Sequence, residues 1–420
     1  MTDLTARPLT DDEWIEYRTL VAHAFLMDPD PDPTSPLREL FPDDRFLGIS
    51  EHSAGSAGSG SSGGRLLGGG GIQTRNMTVP GGRPTPVAAI SYVGVRPDAR
   101  GRGALSALMR AQLDGLHGTG GEPVAALWAS QAPIYGRFGY GVSTRCGELN
   151  HDARARFVPG VPHGGEVRWL EREQAEPLLA EVHAAVAARR VGWLSRTSPN
   201  WRWWVFDSGP GRSWTAQRYA VHRGVDGAPD GYAAFRTRPN WPSTGAAYDL
   251  SIKELVATTP EAYAALWRNL LDLDLVARLH IDRVAPDDPL TDMLLDPRGA
   301  LTGVRDGLWV RLVDLDRALG SRSYGATCGL VIEVTDRFCP WNAGRWRLDV
   351  DDSGVGGVER TSTEPDLACD VADLGAAYLG GTRLTALAAA GRVRELTPGA
   401  VLSASRAFAG DVEPHCPEVF

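Results

Sequence analysis

The chain has 420 residues, which is enough for about three domains of ordinary size, and 43% of them are hydrophobic. Its net charge of −9 argues against nucleic acid as a partner and favours a cationic substrate. No apolar run approaches the ~20 residues of a membrane-spanning helix, and the N-terminal MTDLTARPLTDDEW is polar and acidic rather than signal-like. We therefore expect a cytoplasmic protein without a membrane segment.

The cysteine, histidine and lysine patterns predict no metal site and argue against several cofactors. The five cysteines are scattered and include no CxxC pair, so neither a zinc site nor a disulfide framework is expected. None of the nine histidines lies four positions from another. The only lysine, Lys253, is far from any glycine-rich turn, which argues against a P-loop and against a Schiff-base enzyme.

The N-terminal region predicts a helix followed by an acidic loop. Thr10 and Glu13 form a capping box ahead of an amphipathic stretch that would face a core. The Asp/Pro alternation that follows is incompatible with a helix and leaves Asp28, Asp30 and Asp32 in a loop. Two interpretations of these acids stay open: a solvated linker, or an acidic rim that faces a substrate.

A series of strands comes next. Residues 45–49 predict a short strand, and the Ser/Gly-rich tract 53–64 predicts a flexible hairpin tip. Residues 66–79 and 87–95 predict longer strands of a mixed sheet. Gly94, near the end of the last strand, indicates either a β-bulge or a close approach of the backbone to another group.

An Arg/Gly turn follows this strand at the start of a helix. Arg100, Gly101, Arg102 and Gly103 lie directly before residues 104–116, whose leucines fall largely on one helical face. Unpaired N–H groups and the positive end of the helix dipole collect at such a turn, glycines let a ligand approach the backbone, and the arginines add positive charge. The turn therefore predicts an anion cradle suited to a diphosphate.

A second apolar strand at 123–129 and a turn that contains IYGRFGYG complete a βαβ-like unit. Together with the RGRG turn and the LWAS strand end, this unit resembles the acetyl-CoA-binding half of GNAT acetyltransferases. It resembles more closely the Eis (enhanced intracellular survival) family of aminoglycoside and amine N-acetyltransferases. Arg100 and Gly103 fit the general Arg/Gln-x-x-Gly-x-Gly/Ala signature, whereas Leu105 occupies its last small position.

The resemblance implies a mixed α/β (α+β) architecture of three domains. It predicts an N-terminal GNAT domain at 1–155 with the acetyl-CoA site, a degenerate second GNAT domain at 156–303, and a sterol carrier protein-like domain at 304–420. The second block has a strand-helix-strand rhythm but no Arg/Gly cradle, so it should not bind CoA. Its tryptophan cluster predicts core and interface, although part of it could wall the substrate pocket. The cluster consists of Trp193, Trp201, Trp203 and Trp204.

The resemblance also implies roles for individual residues. Tyr135, the tyrosine before GRFG, matches the general acid of the family, with Tyr140 as the alternative. The carboxylate of the C-terminal Phe420 would be the base, and Asp28 and Tyr92 would contact the substrate. The implied acetyl-CoA contacts are Val93, Gly94, Val95, Arg100, Gly101, Arg102, Gly103, Ala104 and Ser130.

The chemistry of acetyl transfer permits these roles. The amine must lose a proton before it attacks the thioester, and the departing CoA thiolate must receive one. The phenol of Tyr135, with a reference pKa of ~10 against ~8.5 for a thiol, is a protonated donor at neutral pH. The carboxylate of Phe420 starts near a pKa of ~3.5, so it would need desolvation or an intervening water to act as a base. Backbone N–H groups near Val93 to Val95 can meet the oxyanion.

We therefore predict an acetyl-CoA-dependent N-acetyltransferase whose acceptor is a cationic amine, either an aminoglycoside or a polyamine-like molecule. The co-substrate is acetyl-CoA, and no metal is expected. The competing class is a non-catalytic acyl-CoA-binding sensor or scaffold protein. Analogy with the family further implies a homo-oligomer, namely a hexamer.

Overall fold

The computed structural model describes residues 4–29, 36–51, 64–206, 213–298, 300 and 303–420. The loop acids Asp30 and Asp32 and residues 53–63 of the Ser/Gly tract lie outside these ranges. Within them, strands form three sheets against which helices pack, which confirms the predicted mixed α/β class. In the described part of the chain, every helix is too short or too polar to cross a bilayer.

Strands and helices alternate along the described chain. The first elements are β1 (Leu4–Pro8), α1 (Asp11–Ala24), β2 (Phe46–Glu51), β3 (Arg65–Val79), β4 (Arg83–Val95), α2 (Ala104–Thr119), β5 (Val124–Trp128), β6 (Gly141–Val142) and β7 (Arg145–Asp152). The next are β8 (Glu166–Leu170), α3 (Arg172–Ala187), α4 (Ser198–Trp201), β9 (Arg218–Arg223), β10 (Pro229–Arg238), β11 (Tyr248–Ala257), α5 (Pro260–Leu271), β12 (Val276–Val284), α6 (Leu290–Met293) and β13 (Gly303–Asp306). The last are β14 (Leu308–Leu312), α7 (Leu315–Ser321), β15 (Cys328–Thr335), β16 (Gly344–Val350), β17 (Gly356–Arg360), β18 (Leu367–Asp370), α8 (Val371–Ala377), α9 (Leu384–Ala389), β19 (Arg394–Glu395) and α10 (Ala400–Phe408).

The sheets do not follow the chain order. The first sheet has the order β1-β2-β3-β4-β5-β14-β6, and the second has the order β13-β7-β12-β11-β10-β9-β8. The third has the order β17-β16-β15-β18-β19. The first sheet therefore contains a strand from much later in the chain, β14, and the second sheet contains an earlier strand, β7.

Two strands carry this exchange. β14 inserts between β5 and β6, pairs antiparallel with both, and is buried along its whole length. β7 pairs with β12 and β13 of the second sheet. The sheets consequently do not divide at residues 155 and 303, because tertiary pairing and not sequence adjacency selects a strand's partner. The ranges 1–155, 156–303 and 304–420 stay a prediction of domain extent.

Local signals explain how the main helices begin. The capping box predicted at Thr10 and Glu13 is present and starts α1. α2 begins after Gly103, whose left-handed backbone gives the helix no side-chain cap. α5, the helix after the central strand of the second sheet, is capped instead by Thr259, whose hydroxyl accepts the N–H of Ala262 at 3.2 Å. The first turn of α5 is therefore closed by its own chain.

The β-bulge in β4 lies at Tyr92 and not at Gly94. Between Ser91 and Gly94, β4 has one residue more than the facing part of β3, and Tyr92 has a φ of +56°. Gly94 is instead a close approach, because a Cβ at this position would lie 2.9 Å from Cγ2 of Val21 in α1. Of the two alternatives for Gly94, the bulge is thus wrong and the close approach is confirmed.

Candidate active site

A cavity opens where the two central strands of the first sheet separate. β4 and β5 are parallel and pair only over Val87–Ala89 and Val124–Ala126. Beyond these pairs lies a cavity of about 620 Å³, whose walls come from α1 and the residues after it, both strand ends, the second sheet and the C-terminus. Ligands of open α/β sheets bind outside the carboxyl ends of parallel strands. A cavity of about 710 Å³ beside residues 155–163 contains none of the predicted site residues.

Tyr135 lines this cavity and Tyr140 does not. Tyr135 follows a short 3-10 turn at Ala132–Ile134, and its side chain is almost completely buried. Burial raises the pKa of Tyr135 to about 12, so that the phenol keeps its proton at neutral pH. The ring of Tyr140 packs edge-to-face on that of Tyr135 with 6.0 Å between centroids, and its buried hydroxyl has no hydrogen-bond partner among the described residues.

The C-terminus reaches the same cavity. Phe420 is half-buried and lines it together with Val419. Val419 also packs against the buried cluster that includes Trp201 and Trp204. The last residue of the chain therefore shares one cavity with Tyr135, although 285 positions separate the two in the sequence.

A buried charge network holds the C-terminal tail. Glu418 forms ion pairs with Arg75 of β3 and with Arg196, and all three side chains are at most 3% exposed. Arg196 also donates to both carboxylate oxygens of Glu254 in β11, at 2.9 and 2.8 Å. The two arginines hold the pKa of the Glu418 carboxyl below its usual range despite burial. Sequence reasoning missed this anchor, because its members lie far apart in the chain and carry no local motif.

The Arg/Gly turn has the conformation expected of an anion cradle. Gly101 and Gly103 have φ values of +76° and +89°, which side chains other than glycine rarely adopt. A Cβ at Gly101 would meet nothing within 4 Å, so the backbone is open to a ligand. α2 starts at Ala104 without a side-chain cap, which leaves its first N–H groups available to an anion.

The two arginines of the turn are exposed and contact its surroundings. Arg100 donates from Nη2 to the carbonyl oxygen of Ala24, at the end of α1, at 3.3 Å. Arg102 is ion-paired with Glu51 at the end of β2. Neither guanidinium lines the cavity between β4 and β5, so the turn and the cavity are separate features of one sheet edge.

The remaining predicted cofactor contacts divide between these two features. Val93 and Ser130 line the cavity from the separating ends of the two strands. Gly94 and Val95 continue β4 beyond the bulge, in register with Gly69 and with the residue before it in β3. The predicted contacts therefore run from the cavity along β4 toward the Arg/Gly turn.

Both predicted substrate contacts lie at the cavity. Asp28 is exposed and lines it, as does Tyr92 at the bulge. The carbonyl oxygen of Tyr92 accepts the hydroxyl of Tyr17 at 2.7 Å, and its ring lies 6.2 Å from that of Trp14. α1 therefore holds the bulge in place, and the position of Asp28 agrees with the substrate-facing interpretation of the acidic loop.

The tryptophan cluster is partly core and partly wall. Trp193 and Trp201 belong to a buried apolar cluster, whereas Trp203 and Trp204 also line the cavity. Trp204 donates its Nε1 hydrogen to Glu254 at 3.2 Å, which ties this wall to the charge network. The core interpretation is thus confirmed for Trp193, Trp201 and Trp204, and the substrate-pocket interpretation of Trp203 and Trp204 stays a prediction.

Three arginines that the sequence did not predict as site residues also line the cavity: Arg18, Arg283 and Arg305. They come from α1, β12 and β13, and no motif surrounds any of them. Their convergence depends on the strand exchange, which brings β13 beside β7 at the edge of the second sheet.

One group of side chains outside the cavity has the spacing of a cation site. Glu148, His280 and Asp282 each offer an atom within 4.8 Å of the others. Nε2 of His280 lies 2.5 Å from Asp282, and Nδ1 lies 2.6 Å from Oδ1 of Asn150. Both ring nitrogens are therefore already engaged in hydrogen bonds.

Comparison with known protein families agrees with the three-part organisation. Residues 5–143 match the family described as Acetyltransferase (GNAT) domain, and residues 192–312 match a second family of the same description. Residues 315–417 match the family described as Sterol carrier protein domain. The tandem GNAT fold with a C-terminal sterol carrier domain is thereby confirmed, and a GNAT domain implies acetyl-CoA as co-substrate.

Individual relatives extend over almost the whole chain. An uncharacterized N-acetyltransferase of Streptomyces coelicolor is 40% identical over 99% of each chain. The N-acetyltransferase Eis of Mycobacterium tuberculosis is 33% identical over 96% of each chain. Among solved structures, Eis1 from Mycobacterium abscessus superposes with a TM-score of 0.83 at 34% identity and full coverage of both chains. The chain is therefore an acyltransferase and belongs to the Eis family of GNAT N-acetyltransferases.

Proposed function

We propose that the protein transfers the acetyl group of acetyl-CoA directly to an amine of a cationic small molecule, with Tyr135 as general acid and the carboxylate of Phe420 as base. The observation that carries this proposal is that both residues line one cavity at the separating ends of β4 and β5. In this reaction the amine nitrogen forms a bond to the acetyl carbon, and the carbon–sulfur bond to CoA breaks.

The environment of Tyr135 suits a proton donor. Its raised pKa, caused by burial, keeps the phenol protonated, while a free thiol has a reference pKa of ~8.5. Because this pKa lies above that of the thiol, the phenol is the weaker acid, so it would hydrogen-bond to the departing sulfur and deliver its proton as negative charge develops there.

The carboxylate of Phe420 supplies negative charge where the acceptor ammonium would arrive. Phe420 is half-buried at the cavity wall, and the role of base would require its carboxylate to be desolvated there. It would take the ammonium proton directly or through a water molecule. The anchor at Glu418 supports this role, because it holds the tail that ends in Phe420.

The acetyl-CoA site follows from the same sheet edge. We assign the diphosphate to the N–H groups at Gly101, Gly103 and Ala104, with Arg100 and Arg102 as flanking positive charges. Val93, Gly94, Val95 and Ser130 would contact the rest of the co-substrate, and a strand N–H near Val93 to Val95 would meet the oxyanion. Val93 and Ser130 line the cavity, and Gly94 and Val95 continue β4 from there toward the turn.

The acceptor class comes from the charge of the cavity rim and from the family. Asp28 and the terminal carboxylate attract an ammonium group, and Tyr92 lies beside them on the wall. An aminoglycoside or a polyamine-like amine is the proposed acceptor. We also propose a cytoplasmic location, no metal requirement and a homo-oligomer, a hexamer by analogy with the family.

Release of free CoA thiol tests the proposal. Purified protein is mixed with acetyl-CoA and a panel of amines that includes aminoglycosides, polyamines and simple alkylamines, with reactions lacking amine as controls. Amine-dependent thiol release is the expected result. Binding of acetyl-CoA without release in the presence of any amine would contradict the enzyme and favour the alternative, a non-catalytic acyl-CoA sensor or scaffold.

A further inference from the structure

The acceptor cavity carries positive as well as negative charge. Arg283 and Arg305 lie on the wall that the second sheet contributes, whereas Asp28 lies beside α1. Arg18 and Asp306 line it as well, so three guanidinium groups share the cavity with the carboxylates of Asp28 and Asp306 and with the end of the chain. A cavity built only for polycations would carry carboxylates without three arginines beside them.

Arg283 has weak electrostatic compensation. Its Nη2 lies 3.7 Å from the carboxylate of Asp282, which itself is engaged by His280 at 2.5 Å. Nε of Arg283 is buried and has no hydrogen-bond partner in the described chain. Because Nε is shielded from solvent, an anion in the cavity would reach this guanidinium through its Nη atoms, which the Asp282 carboxylate at 3.7 Å compensates only weakly.

Arg305 lies on the same wall and also has little compensation of its charge. Its Nη2 donates to the backbone carbonyl of Asp282 at 3.3 Å, and among the described residues no carboxylate lies within 4.0 Å of its guanidinium. The neighbouring Asp306 accepts a hydrogen bond from Nε1 of Trp309 at 2.7 Å. The terminal carboxylate of Phe420 likewise forms no ion pair with either arginine in the described structure.

The neighbouring titratable groups respond to the positive charge of Arg283. Burial, and after it the charge of Arg283, lowers the pKa of Lys253 to about 7. Burial and the charges of Arg190 and Arg283 lower the pKa of His415 to about 3. The positive charge of Arg283 therefore disfavours the protonated forms of Lys253 and His415.

Two basic side chains already lie on the aromatic wall at the same place. Nζ of Lys253, which with its pKa of about 7 is partly protonated at neutral pH, lies 3.3 Å from the ring centroid of Trp204, and the guanidinium carbon of Arg283 lies 5.1 Å from it. An acceptor ammonium would be repelled from this indole rather than bound by a cation–π contact. The wall therefore disfavours the cationic end of an acceptor and favours an anionic group.

We propose that the acceptor is a zwitterion whose amine faces Tyr135 and Phe420 and whose carboxylate is bound by Arg283 and Arg305. Apolar side chains that line the same cavity, including Leu37, Leu40 and Trp203, suit a hydrophobic body in such a molecule. This inference rests on the proposed acetyl transfer but replaces its aminoglycoside or polyamine-like acceptor with an amino acid-like amine.

Matched pairs of acceptors that differ only in the anion test the inference. Alkylamines such as hexylamine and octylamine are compared with 6-aminohexanoate and 8-aminooctanoate, and 2-phenylethylamine is compared with phenylalanine. We expect kcat/KM for at least one zwitterion to exceed that of its partner amine by about tenfold or more, the size of one charge-assisted hydrogen bond. An equal or higher kcat/KM for every simple amine, or for the aminoglycosides, would overturn the inference.

Variants connect this preference to the arginines. Arg305→Gln, at an exposed position, and Arg283→Gln should each lower the zwitterion-to-amine ratio of kcat/KM by about tenfold. Arg278→Gln is the matched control, because Arg278 lies on the same strand as Arg283 but pairs with Asp249 outside the cavity. Equal ratios in Arg305→Gln and Arg278→Gln would contradict the assignment.

A binding measurement separates this inference from the proposed function. Calorimetric titration of 8-aminooctanoate into the intact protein reports the carboxylate site without any turnover. Binding that weakens in Arg305→Gln and not in Arg278→Gln supports the site even if no amine releases thiol, a result that would count against the acetyl transfer alone. Binding that is the same for octylamine and 8-aminooctanoate would overturn the site even if transfer occurs.

Discussion

Glu418 and Arg75 form an ion pair across 343 positions of the chain, with both side chains almost completely buried. Arg75 belongs to β3, which pairs with the strand that carries the bulge at Tyr92. Arg196 binds the second side of the Glu418 carboxylate and links it to the second sheet. The position of the C-terminus is thus determined by charges from two sheets.

Loss of the Glu418 charge should destabilise the protein strongly. Glu418→Gln leaves Arg75 and Arg196 buried with less compensation, and breaking a buried pair typically costs about 3–5 kcal/mol. Denaturant unfolding of this variant measures the loss. The double variant Arg75→Met with Glu418→Met should lose less free energy of unfolding than the summed losses of the single variants Arg75→Met and Glu418→Met. Additive losses would contradict a coupled pair.

Tyr135→Phe should lower kcat by about a hundredfold or more while leaving the affinity for acetyl-CoA nearly unchanged, because the substitution removes the hydroxyl and keeps the aromatic ring. Steady-state thiol release and acetyl-CoA titration measure both quantities. Tyr140→Phe is the matched control and should keep near wild-type kcat, since its hydroxyl has no partner and lies away from the cavity. A larger effect at Tyr140 would reverse the assignment of the acid.

Extension of the C-terminus should reduce turnover more than stability. A peptide tag after Phe420 moves the carboxylate out of the cavity, while the Glu418 anchor two residues earlier is left in place. Deletion of Phe420 removes the aromatic ring as well. The same tag at the N-terminus is the control, and an unchanged kcat in the C-terminally tagged protein would refute the carboxylate role.

The Arg/Gly turn should control the affinity for acetyl-CoA. Gly103→Ala places a side chain at a φ of +89°, which costs on the order of 1 kcal/mol and shifts the first N–H groups of α2. We expect a several-fold rise in KM for acetyl-CoA with a smaller change in KM for the amine. Gly118→Ala, in the last turns of the same helix and with open space around it, should leave both constants unchanged.

Lys253 should make stability depend on pH. Its pKa in the folded protein, about 7, is below the unfolded value of ~10.4, so burial penalises its charged form. This penalty is fully present below pH ~7 and declines as the pH rises toward ~10.4. Lys253→Met should therefore raise the Tm more at pH 6.5 than at pH 9.5. Lys253→Arg stays charged, so its Tm should fall increasingly below that of the wild type as the pH rises. Tm differences from the wild type that do not change with pH would contradict the lowered pKa of Lys253.

Local sequence determined the elements whose stability and shape depend on near neighbours. The capping box at Thr10 and Glu13, the left-handed glycines at Gly101 and Gly103, and the strand and helix around them all follow from preferences of a few adjacent residues. The candidate acid and the C-terminal residue came from a motif and from a chain end, and the structure brings both to one cavity.

Tertiary structure alone decided what depends on distant partners. The insertion of β14 into the first sheet, the buried pairing of Glu418, and the convergence of Arg283 and Arg305 on the acceptor cavity join residues that no local pattern relates. Strand pairing and burial of charge are selected by the free energy of the whole fold, in which a partner hundreds of positions away counts as much as an adjacent one. For this reason the sequence identified the family and a candidate acid, whereas the arginines that line the cavity became visible only in three dimensions.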